Sequence, residues 1–353
     1  MGSSRFTIKK VAKDLVKNSL IGSAVLLLIT AASITAAAEV NIYSAREENL
    51  IKPILDRYTA QTGTKINLVT GGADELIKRL ELEGVNSPAD LLLTVDVGRL
   101  LRAKDADLLQ PVDSDILEDV IPVQYRDSNG YWFGVSLRSR VIVYDKARVD
   151  PAQLSTYEAL ADPKWKGKIC VRSSTNIYNQ SLTAAMVSHN GVEVTEQWAR
   201  GLVANLARNP QGGDRDQINA IAAGQCELAL VNTYYLAGML KSTVGNDKST
   251  AESVGVFWPN QQGRGAHINI SGAGVTKSAK NTEAAIELLE FMVSEEAQQW
   301  YADVNDEFPV RAGIAASEIL QSWGEFKADN IPLEQLGIHN ADAVRLMDRA
   351  GWK

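Results

Sequence analysis

Apolar and polar positions follow two rhythms along this chain. "EVNIYS", from Glu39, has the two-residue period of a strand. "ENLIKPILDRYTAQTG" carries the period of an amphipathic helix closed by Gly63. "KINLVTG" then reads as a second strand, "ADELIKRLELEG" as a second helix ending at Gly84, and "ADLLLTVD" as a third strand. Strands that alternate with helices predict a layered α/β fold. Around residue 132 the rhythm changes to a long strand-rich run, "YWFGVSLRSRVIVYDK". Helix, turn and strand follow in "STYEALADPKWKGKICVRSS", a helix in "VTEQWARGLVANLA", and helix then strand in "DRDQINAIAAGQCELALVNTYY". A second long strand run, "GAHINISGAGVTKSA", leads into "NTEAAIELLEFMVSEEAQQWYADV", which reads as one amphipathic helix. The pattern predicts one lobe from 39–138 plus 266–310 and a second from 139–265 plus 311–353. The two long strand runs would cross between them, and the C-terminal helices would pack across both.

The first 38 residues have another character. A basic leader (Arg5, Lys9, Lys10, Lys13 and Lys17) precedes the apolar run "LIGSAVLLLI", and Ala36 and Ala38 offer a small-residue cleavage pattern. That order predicts a signal peptide over residues 1–38, cleaved before Glu39, and a periplasmic protein. The apolar run is short for a membrane span. Without the leader the chain loses five of 36 Lys/Arg and one of 43 Asp/Glu, leaving a formal charge of −11. An acidic chain with no basic cluster is a poor nucleic-acid binder but can attract a cation. Two cysteines, Cys170 and Cys226, lie in strand-like segments. In an exported chain they suggest a disulfide, the alternative being two buried thiols.

The stretch "ELALVNTYYLAGML" passes from a buried strand to a short helix, and Tyr234 and Tyr235 stand at the junction with Asn232 and Thr233 as N-cap candidates. Ligands of open α/β sheets sit beyond the carboxyl ends of the strands, so both phenols fall where a ligand would bind. Tyr178, in "CVRSSTNIYNQSL", also follows a strand and opens a helix. The alternative is that all three pack across a cleft as half-buried rings.

The element order and several phrases carry a resemblance: "IYSAREENLIKPIL", "YEALADPKWKGKI", "INAIAAGQCELALVNTYY" and "LLEFMVSEEAQQWYADVNDEFPVR". Across the mature chain the sequence resembles the type II periplasmic solute-binding proteins of ABC importers, and within them the ferric-iron binders, the bacterial transferrins. Paired tyrosines at this point are a hallmark of that branch. The resemblance implies a two-lobed binding protein rather than an enzyme. It further implies a monomer that carries Fe(III) to an inner-membrane permease and its ATPase, with iron transport as its role.

Chemistry agrees with that implication. Phenols titrate near pH ~10 and become ligands only when a strong Lewis acid displaces their protons. Hard ferric iron prefers anionic oxygen, and phenolates from Tyr178, Tyr234 and Tyr235 would balance its three charges in a partly desolvated cleft. The resemblance places the remaining donors at "YSAREENL". There Arg46, at a helix N-terminus, would hold carbonate or another synergistic anion, and Arg138 in "VSLRSRV" matches a second cleft arginine. Some relatives carry His-Tyr or Tyr-Tyr after the arginine, whereas this chain has Glu47 and Glu48. Ser44 and Glu47 fit a capping box; Glu48 is a candidate ligand or a solvent-facing side chain. Tyr43 is expected to pack in the first strand.

His189, His267 and His339 form no site by spacing, and no nucleophile elbow, phosphate loop or paired-cysteine motif is present. "QGGDRDQ", from Gln211, reads as a loop at the rim of the cleft. The rival readings are another small solute on the same fold (a polyamine, thiamine or a phosphonate) and, more distantly, a secreted hydrolase.

Overall fold

A computed structural model describes residues 38–353; residues 1–37 of the expected signal peptide lie outside the described residues. The strands are β1 Glu39–Ser44, β2 Lys65–Thr70, β3 Leu91–Val95, β4 Phe133–Asp145, β5 Ile169–Cys170, β6 Leu228–Asn232, β7 Val254–Phe257 and β8 Ile268–Val275. They form one eight-stranded sheet, in which seven follow the order β2-β1-β3-β8-β4-β6-β5 and β7 pairs off this path with β4. β1 is parallel to β2 and β3, and β5 to β6, while β8 runs antiparallel to β3 and β4.

β4 explains the change of rhythm near residue 132. Its first half, Phe133 to Ser139, pairs with β8, and its second half, Arg140 to Asp145, lies between β6 and β7. Each half serves a different core. Phe133 and Val135 pack with Val40, Ile42 and Leu91 beneath the helix Thr282–Met292. Ile142 packs instead with Leu228, Leu230, Met186 and Trp198. Its neighbours Val141 and Val143 point the other way, onto Ile218, Ile221 and Val231. That is the two-residue period of a strand buried on both faces. The C-terminal segment closes a further cluster, in which Ile331, Leu333 and Leu336 pack on Val97, Leu100 and Leu101.

Helix ends obey local rules. The helix Lys52–Thr62 stops at Gly63, which takes φ 76° and donates its N–H to Thr59 O at 2.9 Å. The single helix expected over residues 281–304 is two, Thr282–Met292 and Glu295–Asn305. Ser294 breaks it by taking an extended backbone and accepting Ala297 N–H at 3.2 Å.

The capping box expected of Ser44 and Glu47 is absent. β1 runs through Ser44, whose Oγ accepts the N–H of Arg46 at 3.2 Å, and the chain then forms a short 3₁₀ turn at Glu48–Leu50. Pairing with Thr70 and Leu93 on either side holds Ser44 in the sheet and overrides the local motif. Tyr43 packs as expected, buried and donating to the Glu83 carboxylate at 2.9 Å.

Cys170 and Cys226 form a disulfide with Cα atoms 5.9 Å apart. It joins the end of β5 to the residues entering β6, closing 56 residues of sequence. In the chain-entropy account a loop of that length contributes about 4 kcal/mol. A Cys170→Ser/Cys226→Ser double variant should therefore lose about that much in denaturant unfolding. The non-reduced native protein should show no alkylatable thiol; two reactive thiols would contradict the bond.

Candidate functional site

The paired tyrosines do not lie on a strand. β6 ends at Asn232 and the helix Thr233–Lys241 begins at once, so Tyr234 and Tyr235 occupy its first turn. Consecutive helical residues are about 100° apart rather than opposed, and both rings reach the same side, tilted 34° with centroids 4.3 Å apart. Asn232 stands at the cap position but its side chain does not cap the helix; its Oδ1 accepts from Arg140 at 3.1 Å. Thr233 Oγ1 instead accepts Ser139 N–H at 3.5 Å.

Tyr178 is the second residue of the helix Ile177–Asn190, which is capped by Asn176 through Tyr178 N–H at 3.1 Å. Tyr234 Oη donates to Tyr178 Oη at 3.2 Å. The two strand-to-helix junctions thus bring the three predicted phenols together in the lining of one cavity of about 260 Å³, which also takes in Arg46, Glu47, Arg215 and Glu307. Burial, and then the negative charge its neighbours Tyr178 and Tyr235 would carry, push the Tyr234 phenol well above its ordinary range. Tyr235 is also raised, first by burial and then by the negative charges of Tyr178 and Asp214, while its hydrogen bond with Tyr234 and the Arg172 charge oppose the rise. Both are neutral phenols near pH 7 unless a cation displaces their protons.

Behind the phenols lies a layer of buried charge. Three guanidinium carbons surround the Tyr178 ring: Arg138 at 5.4 Å, Arg172 at 5.5 Å and Arg140 at 6.0 Å from its centroid. Arg138 pairs with Asp96 at 3.2 Å, and Asp214 takes both Arg140 at 3.3 Å and Arg172 at 3.2 Å. Asp96 has φ 83°, strained for a residue with a Cβ. Its carboxylate accepts from Gly98 N at 3.1 Å, Ser181 Oγ at 2.7 Å and Asn269 Nδ2 at 2.9 Å, which holds that conformation.

The anion-site expectations need adjusting. Arg138 is buried and lines a separate small cavity of about 10 Å³ beside Tyr178 rather than the cavity of about 260 Å³. Arg46 does line the cavity, but it is 4% exposed and its Nη2 donates to both oxygens of Glu307, at 2.9 and 3.0 Å. Its Nε and Nη1 have no partner within the described residues. Of the two glutamates, Glu47 lines the cavity and Glu48 does not; both side chains are exposed.

Glu307, Arg140, Arg172, Asp214 and Arg215 were missed in the sequence. "QGGDRDQ" held a usable signal, because it supplies Arg215 to the rim as expected and also the fully buried Asp214. The histidines stay outside the site. His189 pairs with Asp329 at 2.9 Å. His267 is buried beside Arg140 and Arg138, and desolvation and their charge lower it to about 3, so it is neutral. Among the described residues no group of three or more His, Cys, Asp or Glu is placed to hold a metal ion.

Comparison with known proteins agrees with this architecture. The family described as "Bacterial extracellular solute-binding protein" matches residues 43–299. "Iron uptake protein A1" of Synechocystis is 51% identical over 89% of this chain and 88% of its own. "Fe(3+)-binding periplasmic protein" of Serratia marcescens is 30% identical over 94% of this chain and 96% of its own. The structure of Trichodesmium IdiA (FutA) in complex with iron and citrate superimposes with TM-score 0.86 at 49% identity, covering 90% of this chain and 100% of that one. These relatives are transport and binding proteins, not enzymes. The chain belongs to the bacterial extracellular solute-binding protein family, with the type II periplasmic binding protein fold.

Proposed function

We propose that this protein binds ferric iron through the phenolates of Tyr178, Tyr234 and Tyr235 and carries it, in the periplasm, to an inner-membrane ABC permease and its ATPase. The observation that carries the reading is the convergence of three tyrosines, two of them 3.2 Å apart, on one cavity without a rival set of acidic, thiol or imidazole donors among the described residues. The iron-uptake and iron-binding names of the relatives support it.

Three phenolates neutralise Fe(III) and relieve the cost of bringing it out of water. A cavity of about 260 Å³ is much larger than a bare ion. It leaves space for carbonate or another small anion, or for several waters of about 30 Å³ each. Arg46 suits the anion because its Nε and Nη1 are unpartnered while Glu307 occupies only Nη2. Residues 39–138 plus 266–310 act as one lobe and 139–265 plus 311–353 as the other. Bending at β4 and β8 closes the cleft on the ion.

Three outcomes test the reading. Replacing Tyr178, Tyr234 or Tyr235 by Phe keeps the ring and removes one oxygen donor. Each variant should lose at least about 100-fold in iron affinity, beyond the 10–100-fold typical of residues that merely support a ligand. The visible phenolate-to-iron absorption of the wild type should weaken with it. Wild-type colour and affinity in all three would overturn the assignment.

Affinity should also fall with pH. The phenols of Tyr234 and Tyr235 are raised, so both are protonated in the free protein throughout the neutral range. Each phenol that ligates must release its proton, and each proton costs about tenfold in affinity per pH unit lowered. Tyr234 and Tyr235 together give a loss of about 100-fold between about pH 7 and 6, measured against a chelator of known pH dependence. A flat profile would contradict tyrosinate ligation.

If Arg46 holds the anion, bicarbonate should strengthen iron binding in the wild type and in Glu48→Gln but not in Arg46→Ala. No bicarbonate effect in the wild type, with a large loss in Glu48→Gln, would transfer the role to that glutamate.

A further inference from the structure

The three phenols belong to two helices far apart in sequence, and one buried guanidinium joins both. Arg140 lies at the middle of β4 and is 1% exposed. Its Nη2 donates to Asn179 Oδ1 at 2.7 Å, the residue next to Tyr178, and to Leu230 O at 3.2 Å. Its Nη1 donates to Asn232 Oδ1 at 3.1 Å, two residues before Tyr234.

Asp214 completes the junction. Its Oδ2 accepts from Arg140 and from the backbone N–H of Asn232 at 2.8 Å. Its Oδ1 accepts from Arg172, whose guanidinium lies over the Tyr178 ring. Asn179 returns to the same arm by donating to Arg172 O and Ser173 O at 3.0 and 3.1 Å. Neither Arg140 nor Asp214 lines the open cavity.

We propose that Arg140 and Asp214 are positioning residues that fix the distance between Tyr178 and the Tyr234–Tyr235 pair, and thereby set the iron affinity without touching the metal. This rests on the ferric-iron reading given above. A buried ion pair is seldom worth more to stability than a well-packed apolar pair. A ligand set, by contrast, must hold its atoms within about 0.5 Å. Planar guanidinium bonds to both arms at once meet that need as an apolar contact cannot.

Charge and geometry act in opposite directions at Asp214, which makes the test decisive. Three guanidiniums here face two carboxylates, Asp96 and Asp214. Removing the Asp214 charge makes the layer more positive, which by electrostatics alone favours phenolates and tightens iron binding. Loss of the two-arm junction loosens the ligands and weakens it. Asp214→Asn keeps the shape of the side chain, and the positioning role predicts a fall in iron affinity of about 10–100-fold with a shifted or broadened visible band.

Asp127→Asn serves as the stability control. It disturbs another buried carboxylate, paired with Lys104 and absent from the cavity lining, and should leave band and affinity unchanged whatever its effect on Tm. Should Asp214→Asn not fold, Asn179→Ala cuts only the Tyr178 arm of the junction and must produce the same weakening and band change. Unchanged or tighter iron binding with an unaltered band, in whichever of the two variants folds, overturns the positioning role. A wild type that forms no coloured complex would instead overturn the iron reading itself.

Discussion

A guanidinium removed from water must find carboxylates and carbonyls or it destabilises the fold, and three of them stand behind one tyrosine here. Much of the site's architecture follows from satisfying them. Asp96 adopts a strained backbone at the end of β3 to meet Arg138, and Asn269 on β8 and Ser181 on the Tyr178 helix close around its carboxylate. Asp214 opens its helix buried, so that Arg140 and Arg172 share it. Strands and helices remote in sequence therefore meet at one polar layer, and the phenols stand on its outer edge.

The parts of this design that were legible in the sequence are those written in local periodicity. Tyr178 and the Tyr234–Tyr235 pair could be located because each follows an apolar strand and opens a helix, and the carboxyl end of a strand is where such sheets bind ligands. The resemblance then gave those positions a chemistry. β4 and β8 were legible as long strands, though not the way β4 divides its pairing at Ser139 and Arg140.

Long-range partners were not legible. Glu307 lies 261 residues from Arg46, and no pattern around either residue announces the other. Ser44 and Ser294 show the limit of local motifs in opposite ways. Ser44 had the spacing of a cap, but sheet pairing on both sides claimed it. Ser294 had acidic residues after it, a sign of a helix start, yet the apolar stripe continuing through "LLEFMV" and "AQQWYA" masked the break. Tertiary pairing decided the first case, and the extended backbone and N-cap of Ser294 decided the second.

The disulfide gives the two tyrosine-bearing arms a common origin. Tyr178 lies eight residues beyond Cys170, and Tyr234 eight residues beyond Cys226. In an oxidised chain with no secondary structure, the contour between the two phenols is thus about 17 residue lengths instead of the 56 that separate them in sequence. For a flexible chain, local concentration falls roughly as the −3/2 power of length, so the bond raises that of one phenol about the other by about sixfold. Two phenols that meet at one cavity are already tethered before β5 and β6 have formed.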